Sequence, residues 1–351
     1  MDAPVIQTQA VVVGAGPVGL FQAFQLGLQE VDTHLVDALP HAGGQCAELY
    51  PDKPIYDIPG LPVCTGQELT ERLLAQIAPF RQPLHLGQQV LSLGRLPDGR
   101  FALRTSAGTA FVTQTVFIAA GVGAFVPRKP PLPGLEALEG RQVHYHGPGA
   151  AALTGQHVVV MGGEDAALQT LLDLLSAGTC ASLTLLHRTD KFKADPALDA
   201  AVRTALATGQ VRLVPGQPVG LELTQDGRLA ALQVATLADT TDHLPLDALL
   251  PRLGLSPKLG PLADWGLALE RKLLPVATDT FSTAETGVFA VGDINTYPGK
   301  RKLILCGFHE ATLAAFAAAA IVHPERRVLL QYTTTSPRLH ELLGVAGAVP
   351  G

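Results

Sequence analysis

An α/β fold of two units, each built around a parallel β-sheet, is predicted by three features of the 351-residue chain. Two glycine turns, Gly14-Ala15-Gly16-Pro17-Val18-Gly19 and Met161-Gly162-Gly163-Glu164-Asp165-Ala166-Ala167, each follow a run of β-branched residues and precede apolar residues at helical spacing. Hydrophobic residues make up 47% of the chain and charged residues 16%, as expected where strands are covered on both faces. The length also exceeds a typical core of about 100–200 residues.

The first unit opens with a strand–turn–helix–strand segment from about Thr8 to Asp37. Its glycines let the backbone turn tightly and approach a pyrophosphate, whose charge meets free N–H groups at a helix N-terminus. An acidic residue is expected about 20 residues on, at the tip of the second strand, to bind ribose hydroxyls. Asp37, after His34-Leu35-Val36, meets that expectation. The loop Gly43-Gly44-Gln45 follows, then Val116-Phe117-Ile118-Ala119-Ala120-Gly121 reads as a buried strand meeting glycine, and a Pro-dense link spans 127–133.

A second unit starts with Val158-Val159-Val160, the second turn, a helix through Leu168, Leu171 and Leu175, and the strand Leu183-Thr184-Leu185-Leu186. The right-handed crossover rule predicts that these two strands lie parallel. Strands near 211–214 and 229–234 follow. The chain then runs through 247–250 to Gly287-Val288-Phe289-Ala290-Val291-Gly292-Asp293, again strand, glycine, carboxylate. The architecture expected is therefore two Rossmann-like nucleotide-binding units.

Composition narrows the function. A net charge of −6 argues against broad nucleic-acid affinity. No apolar run reaches the roughly 20 residues of a membrane span, and the longest, 311–322, reads as a buried helix. The N-terminal residues lack a secretory pattern, which gives a cytoplasmic expectation. Cys46, Cys64, Cys180 and Cys306 are scattered, with no metal-binding spacing. No metal is expected.

Gly292-Asp293 and Gly43-Gly44-Gln45 resemble two motifs of flavin-dependent pyridine-nucleotide reductases similar to thioredoxin reductase. Thioredoxin reductases carry Cys-x-x-Cys just before the second glycine turn, where this chain reads His144-Tyr145-His146-Gly147-Pro148-Gly149. The related bacillithiol disulfide reductases carry cysteine in the first turn, where this chain has Val18. Four segments instead resemble the thioredoxin-reductase-like branch of ferredoxin-NADP reductases: 49–60, 120–128, 292–311 and the tail 330–336.

That resemblance implies an FAD domain in residues 1–123 and 245–327, an NAD(P)H domain in 124–244, and a tail, 328–351, over the flavin. It implies FAD contacts at Gly14, Gly16, Pro17, Gly19, Asp37, Gly44, Gln45, Tyr50, Val90, Phe125 and Asp293. Tyr50 would stack on one face of the flavin ring, and Tyr332, with Thr334 or Thr335, would cover the other from the partner of a homodimer. NADPH would be held by Gly162, Gly163, Arg188 and Lys193. The reaction implied is hydride transfer from NADPH to the flavin and one-electron transfer to ferredoxin or flavodoxin, with no side chain required as acid or base. His309 reads as a helix-capping or core residue, and Cys46 as a packed spectator.

Three departures weaken the expected grip on NADPH. Glu164 stands where the family has glycine, and Thr189 and Lys193 replace arginines, so the bidentate hold on a 2′-phosphate is reduced. Arg128-Lys129, Lys300-Arg301-Lys302 and Arg326-Arg327 are candidate docking runs for an acidic carrier. Reduction of a small disulfide or quinone, or a flavoprotein without catalysis, stay open as alternatives.

Overall fold

The computed structural model describes residues 4–145, 149–237, 240–326 and 332–345, without the side chains of 124–126, 255 and 257. The chain divides into two units: residues 1–124 with 257–351, and residues 125–256.

In the first unit the sheet runs in the order Leu84–His85, Thr33–Val36, Ile6–Val13, Ala110–Ile118, Phe101–Thr105, Val90–Arg95, with Val288–Ala290 added beside Ala110–Ile118. Ile6–Val13 lies parallel to both Thr33–Val36 and Ala110–Ile118, and Val288–Ala290 is parallel to Ala110–Ile118. These central strands carry the apolar runs, and Val11, Val12, Val116, Phe117 and Ile118 are fully buried. Their C-terminal ends deliver Gly14, Asp37, Gly121 and Asp293 toward one rim, where ligands of such sheets bind.

The helix Pro17–Leu28 packs one face of this sheet together with Ile304–Val322. The latter is longer than the 311–322 run suggested. By length and composition alone it could cross a bilayer, yet Ala311, Ala314, Ala315 and Ala318 are fully buried in the core beneath the first helix.

The second unit holds the sheet Thr241–Pro245, Leu229–Thr236, Arg212–Leu223, Ser182–His187, His157–Met161, Ala248–Pro251. His157–Met161 and Ser182–His187 pair in parallel, as the crossover rule requires. Ala248–Pro251 also pairs in parallel with His157–Met161, Val158 opposite Ala248. The return crossing therefore falls at 256/257 and not at 244/245, because this fully buried strand completes the inserted sheet.

Candidate functional site

The first glycine turn separates positions fixed by packing from one left open. Gly14 has φ +114°, and a Cβ there would lie 2.4 Å from the Ala119 carbonyl oxygen. A Cβ on Gly19 would fall 1.8 Å from the Gly14 oxygen, so the helix rests directly on the turn. Gly16 has an ordinary φ of −71°, and a Cβ would meet only Gly44 Cα, at 3.8 Å. Pro17 begins the helix, whose N-terminus has no side-chain cap and no acidic residue in its first turn. Its free N–H groups fit an anion.

Two further segments close on this turn. Asp37 Oδ2 accepts from the Ala15 N–H at 2.6 Å and Oδ1 from the Leu39 N–H at 2.8 Å. Burial raises its pKa above the usual carboxylate value, and these two hydrogen bonds oppose the rise. The Gly43 N–H donates to the Ala15 oxygen at 2.8 Å, and a Cβ on Gly44 would come 2.9 Å from Gly16 Cα. Gln45 reaches the next strand end, where its Nε2 stands 3.2 Å from a Cβ placed on Gly121.

Tyr50 accepts a hydrogen bond from the Cys46 thiol at 3.5 Å. Burial pushes both groups up, and the Asp293 carboxylate adds to each rise, so Asp293 belongs to the same cluster. Cys46 is therefore a protonated, packed thiol, the opposite of an activated one.

Behind Asp293 lies an arrangement that the motifs alone did not reveal. Glu310, fully buried, accepts from the Gly292 N–H at 2.7 Å and Asn295 Nδ2 at 2.8 Å through Oε2. Its Oε1 accepts from the Tyr297 hydroxyl at 2.9 Å and from Lys300 Nζ at 2.5 Å. Lys300 Nζ also donates to the Gly292 oxygen at 2.8 Å. The carboxylate and ammonium thus hold both main-chain polar groups of Gly292, and through them the Gly292-Asp293 turn. Val18 wedges against the same turn, 3.4 Å from a Cβ on Gly292, and would clash at 2.3 Å with one on Gly307. The available signal was one acid in an otherwise apolar, alanine-rich helix.

Other expected contacts divide. The Val90 side chain is 4% exposed and sits in a core cluster with Val11, Phe101 and Leu103, which leaves only its main chain for a dinucleotide. The Phe125 side chain lies outside the described residues. Tyr332 is 67% exposed, Thr334 and Thr335 lie in a short turn after it, and among the described residues none of the three is hydrogen-bonded to the cluster. His309 is exposed, with its ring edge-on to Phe281 at 6.4 Å.

The second glycine turn is built differently. Gly162 has φ +147° and abuts the Arg252 oxygen, and a Cβ on Gly163 would strike the His187 ring at 2.5 Å. The Lys193 N–H donates to the Gly163 oxygen at 2.8 Å, folding the 187–193 segment across the turn. Burial first, then Arg188, lower the His187 pKa, so the ring is held neutral beside this site. Glu164 occupies the helix N-cap without a capping hydrogen bond, and its Oε2 lies 3.6 Å from a Cβ on Gly254, to one side of the turn. Asp165 is engaged in accepting from the Asp195 N–H at 2.7 Å. Arg188 and Lys193 are exposed and, among the described residues, make no ion pair.

The expected basic rim needs correction. Lys300 is a buried partner of Glu310 and cannot present its charge, because its side chain is only 9% exposed. Lys129 is paired with Glu139 at 2.6 Å and Arg326 with Glu30 at 3.1 Å. Arg327 lies outside the described residues.

Comparison with known proteins agrees with this geometry. The chain is 58% identical to a ferredoxin–NADP reductase of Acidovorax sp. (strain JS42), covering 97% of this chain and 96% of the relative. It is 54% identical to a ferredoxin–NADP reductase of Albidiferax ferrireducens, over 98% of each. Among solved structures, bacillithiol disulfide reductase from Staphylococcus aureus superposes with a TM-score of 0.61 at 13% identity, over 92% of this chain and all (100%) of that one. Thioredoxin reductase from Lactococcus lactis gives 0.57 at 22% identity, over 90% and 99%. These two share the fold. The model of the pyridine nucleotide-disulphide oxidoreductases matches residues 8–315, and to that family the chain belongs.

Proposed function

We propose that the protein is an FAD-dependent ferredoxin–NADP reductase, taking electrons from NADPH and passing them singly to ferredoxin or flavodoxin. The observation that carries this reading is the first turn, which leaves Gly16 and a bare helix N-terminus open to a pyrophosphate, in a chain similar end to end to reductases of that name. FAD, when bound, supplies the conversion of a two-electron hydride into single electrons. The chain's own part is to seat it. The first-turn N–H groups would meet the pyrophosphate, Asp37 the ribose, and Asp293 the ribityl hydroxyls, while Gln45 and Tyr50 would border the ring. In the second unit Arg188 and Lys193 would take the 2′-phosphate of NADPH. Glu164, leaning toward Gly254, leaves the turn less obstructed than its identity suggests.

The reading draws on no dithiol step: the four cysteines are free, and burial raises the pKa of the Cys46, Cys64 and Cys180 thiols. The reading includes a homodimer in which Tyr332, Thr334 and Thr335 cover the partner's flavin, supported by the exposure of Tyr332, and a cytoplasmic location. A solution mass of two chains checks the dimer.

Anaerobic titration of the yellow protein tests the activity. NADPH at micromolar concentration should bleach the flavin, and ferredoxin should then reduce cytochrome c. Protein that stays yellow with NADPH, or is bleached but inert toward ferredoxin and flavodoxin, contradicts the reading. Arg188→Ala combined with Lys193→Ala should raise KM for NADPH by about a hundredfold, about tenfold for each of the two charge-assisted hydrogen bonds removed. KM for NADH, which lacks the phosphate, should stay nearly constant; equal effects on both would show that these cations do not read the 2′-phosphate.

A further inference from the structure

We propose that a basic cavity in the first unit, lined by Lys258, Arg271, Lys272 and Lys302, receives the acidic face of the one-electron carrier protein. The inference rests on the reductase reading above and adds where the partner docks. The cavity encloses about 790 Å³, and its lining holds these four cations and no carboxylate. All four side chains belong to exposed residues, and among the described residues none forms an ion pair or a hydrogen bond through its charged end. This sets Lys302 apart from Lys129, Lys300 and Arg326, whose charges are already answered.

Its position suits electron transfer. Gly121 and Ile294 line the same cavity. Gly121 faces Gln45, and Ile294 follows Asp293, so the cavity borders two residues of the flavin cluster.

The backbone supplies an independent observation. Glu270 and Leu273 exchange hydrogen bonds of 2.8 and 2.9 Å across a two-residue turn. Its central residues, Arg271 and Lys272, have φ of +49° and +68°. Two successive left-handed residues define the turn that favours Asn-Gly, and long side chains there carry strain. Packing does not explain the choice, because both residues are exposed. The chain holds two cations at the cavity rim in a conformation that Asn and Gly would adopt more easily.

Long-range electrostatics makes such a patch decisive. At a net charge of −6 the protein as a whole repels an acidic carrier. At about 0.1 M ionic strength, fields are screened beyond roughly 10 Å, so the local patch governs the encounter. Redox encounters also use small interfaces, which a single concave patch can supply.

The test is the double substitution Arg271→Asn and Lys272→Gly. We expect Tm to stay level or rise by about 2 °C, with FAD content and NADPH-dependent reduction of a neutral quinone unchanged. KM for ferredoxin should increase about tenfold, and its rise with added salt should flatten. A more stable variant with unaltered ferredoxin KM would overturn the proposal. So would loss of quinone turnover together with ferredoxin turnover, or competition by 2′,5′-ADP that the substitution abolishes, since either assigns the cavity to NADPH. If the turn variant is poorly folded, Lys258→Gln carries the same readouts. A wild-type protein that binds ferredoxin by calorimetry but does not reduce it sinks the reductase reading alone; equal ferredoxin binding by wild type and variant sinks the docking site alone.

Discussion

Glu310→Ala is expected to destabilise the protein by about 3–5 kcal/mol and to release FAD, although Glu310 reaches no surface. The cost arises from what is left behind. Lys300 Nζ would be deprived of its carboxylate at 2.5 Å while its side chain remains only 9% exposed, stranding a buried ammonium. The Gly292 N–H would be without an acceptor, at about 1–3 kcal/mol for an unsatisfied buried donor, and Asn295 Nδ2 would keep only its bond to the Ala290 oxygen at 2.9 Å. Tyr297, whose pKa is raised by burial and by the Glu310 carboxylate, keeps its proton and would be left donating to nothing.

Because Lys300 and Glu310 hold the two main-chain groups of Gly292, the damage reaches Asp293, and flavin retention should fall with stability. Removing both charges should cost less than removing one. Lys300→Met with Glu310→Leu is therefore expected to recover part of the stability but not the flavin affinity, since Gly292 stays unheld. Urea denaturation midpoints and the rate of flavin release measure the two effects. A Glu310→Ala protein within about 1 kcal/mol of its parent would show that water, not Lys300, satisfies this carboxylate.

The reach of the sequence follows the range of the interactions. Gly14, Gly19 and Gly162 were legible because their geometry is decided within a strand–turn–helix segment, and the parallel pairing of His157–Met161 with Ser182–His187 follows from chain handedness. Ala248–Pro251 was misplaced because its membership of the inserted sheet depends on a partner far earlier in the chain. Lys300 looked like a member of a solvated basic run until helix packing turned it toward Glu310. The turn at Arg271-Lys272 was invisible for a different reason: it adopts a glycine-type conformation without glycine or asparagine. The charge that matters at the cavity is thus assembled from three distant segments, and no single run announces it.

Gly16→Ala and Gly19→Ala, chemically the same substitution three positions apart, are expected to fail in opposite ways. At Gly19 the new methyl would lie 1.8 Å from the Gly14 oxygen and 3.4 Å from the Ala119 side chain. Neither the backbone oxygen nor the strand behind it can yield cheaply, so the helix must lift from the sheet at a cost of about 3 kcal/mol. Flavin would be released with the unfolding. At Gly16 φ is already one that alanine adopts, and the methyl would touch only Gly44 Cα, at 3.8 Å. The destabilisation at this helix N-cap is under about 1 kcal/mol. The methyl would instead occupy the space in front of the helix N-terminus, where a pyrophosphate oxygen must approach the free N–H groups. Blocking one such charge-assisted hydrogen bond weakens FAD binding by about tenfold to a hundredfold. Gly16→Ala should therefore melt almost like its parent while purifying with little bound flavin, and Gly19→Ala should drop in melting temperature and in flavin content together. A Gly16→Ala protein that retains stoichiometric FAD at nanomolar concentration would mean that the pyrophosphate is not seated on this turn, whatever else binds the cofactor.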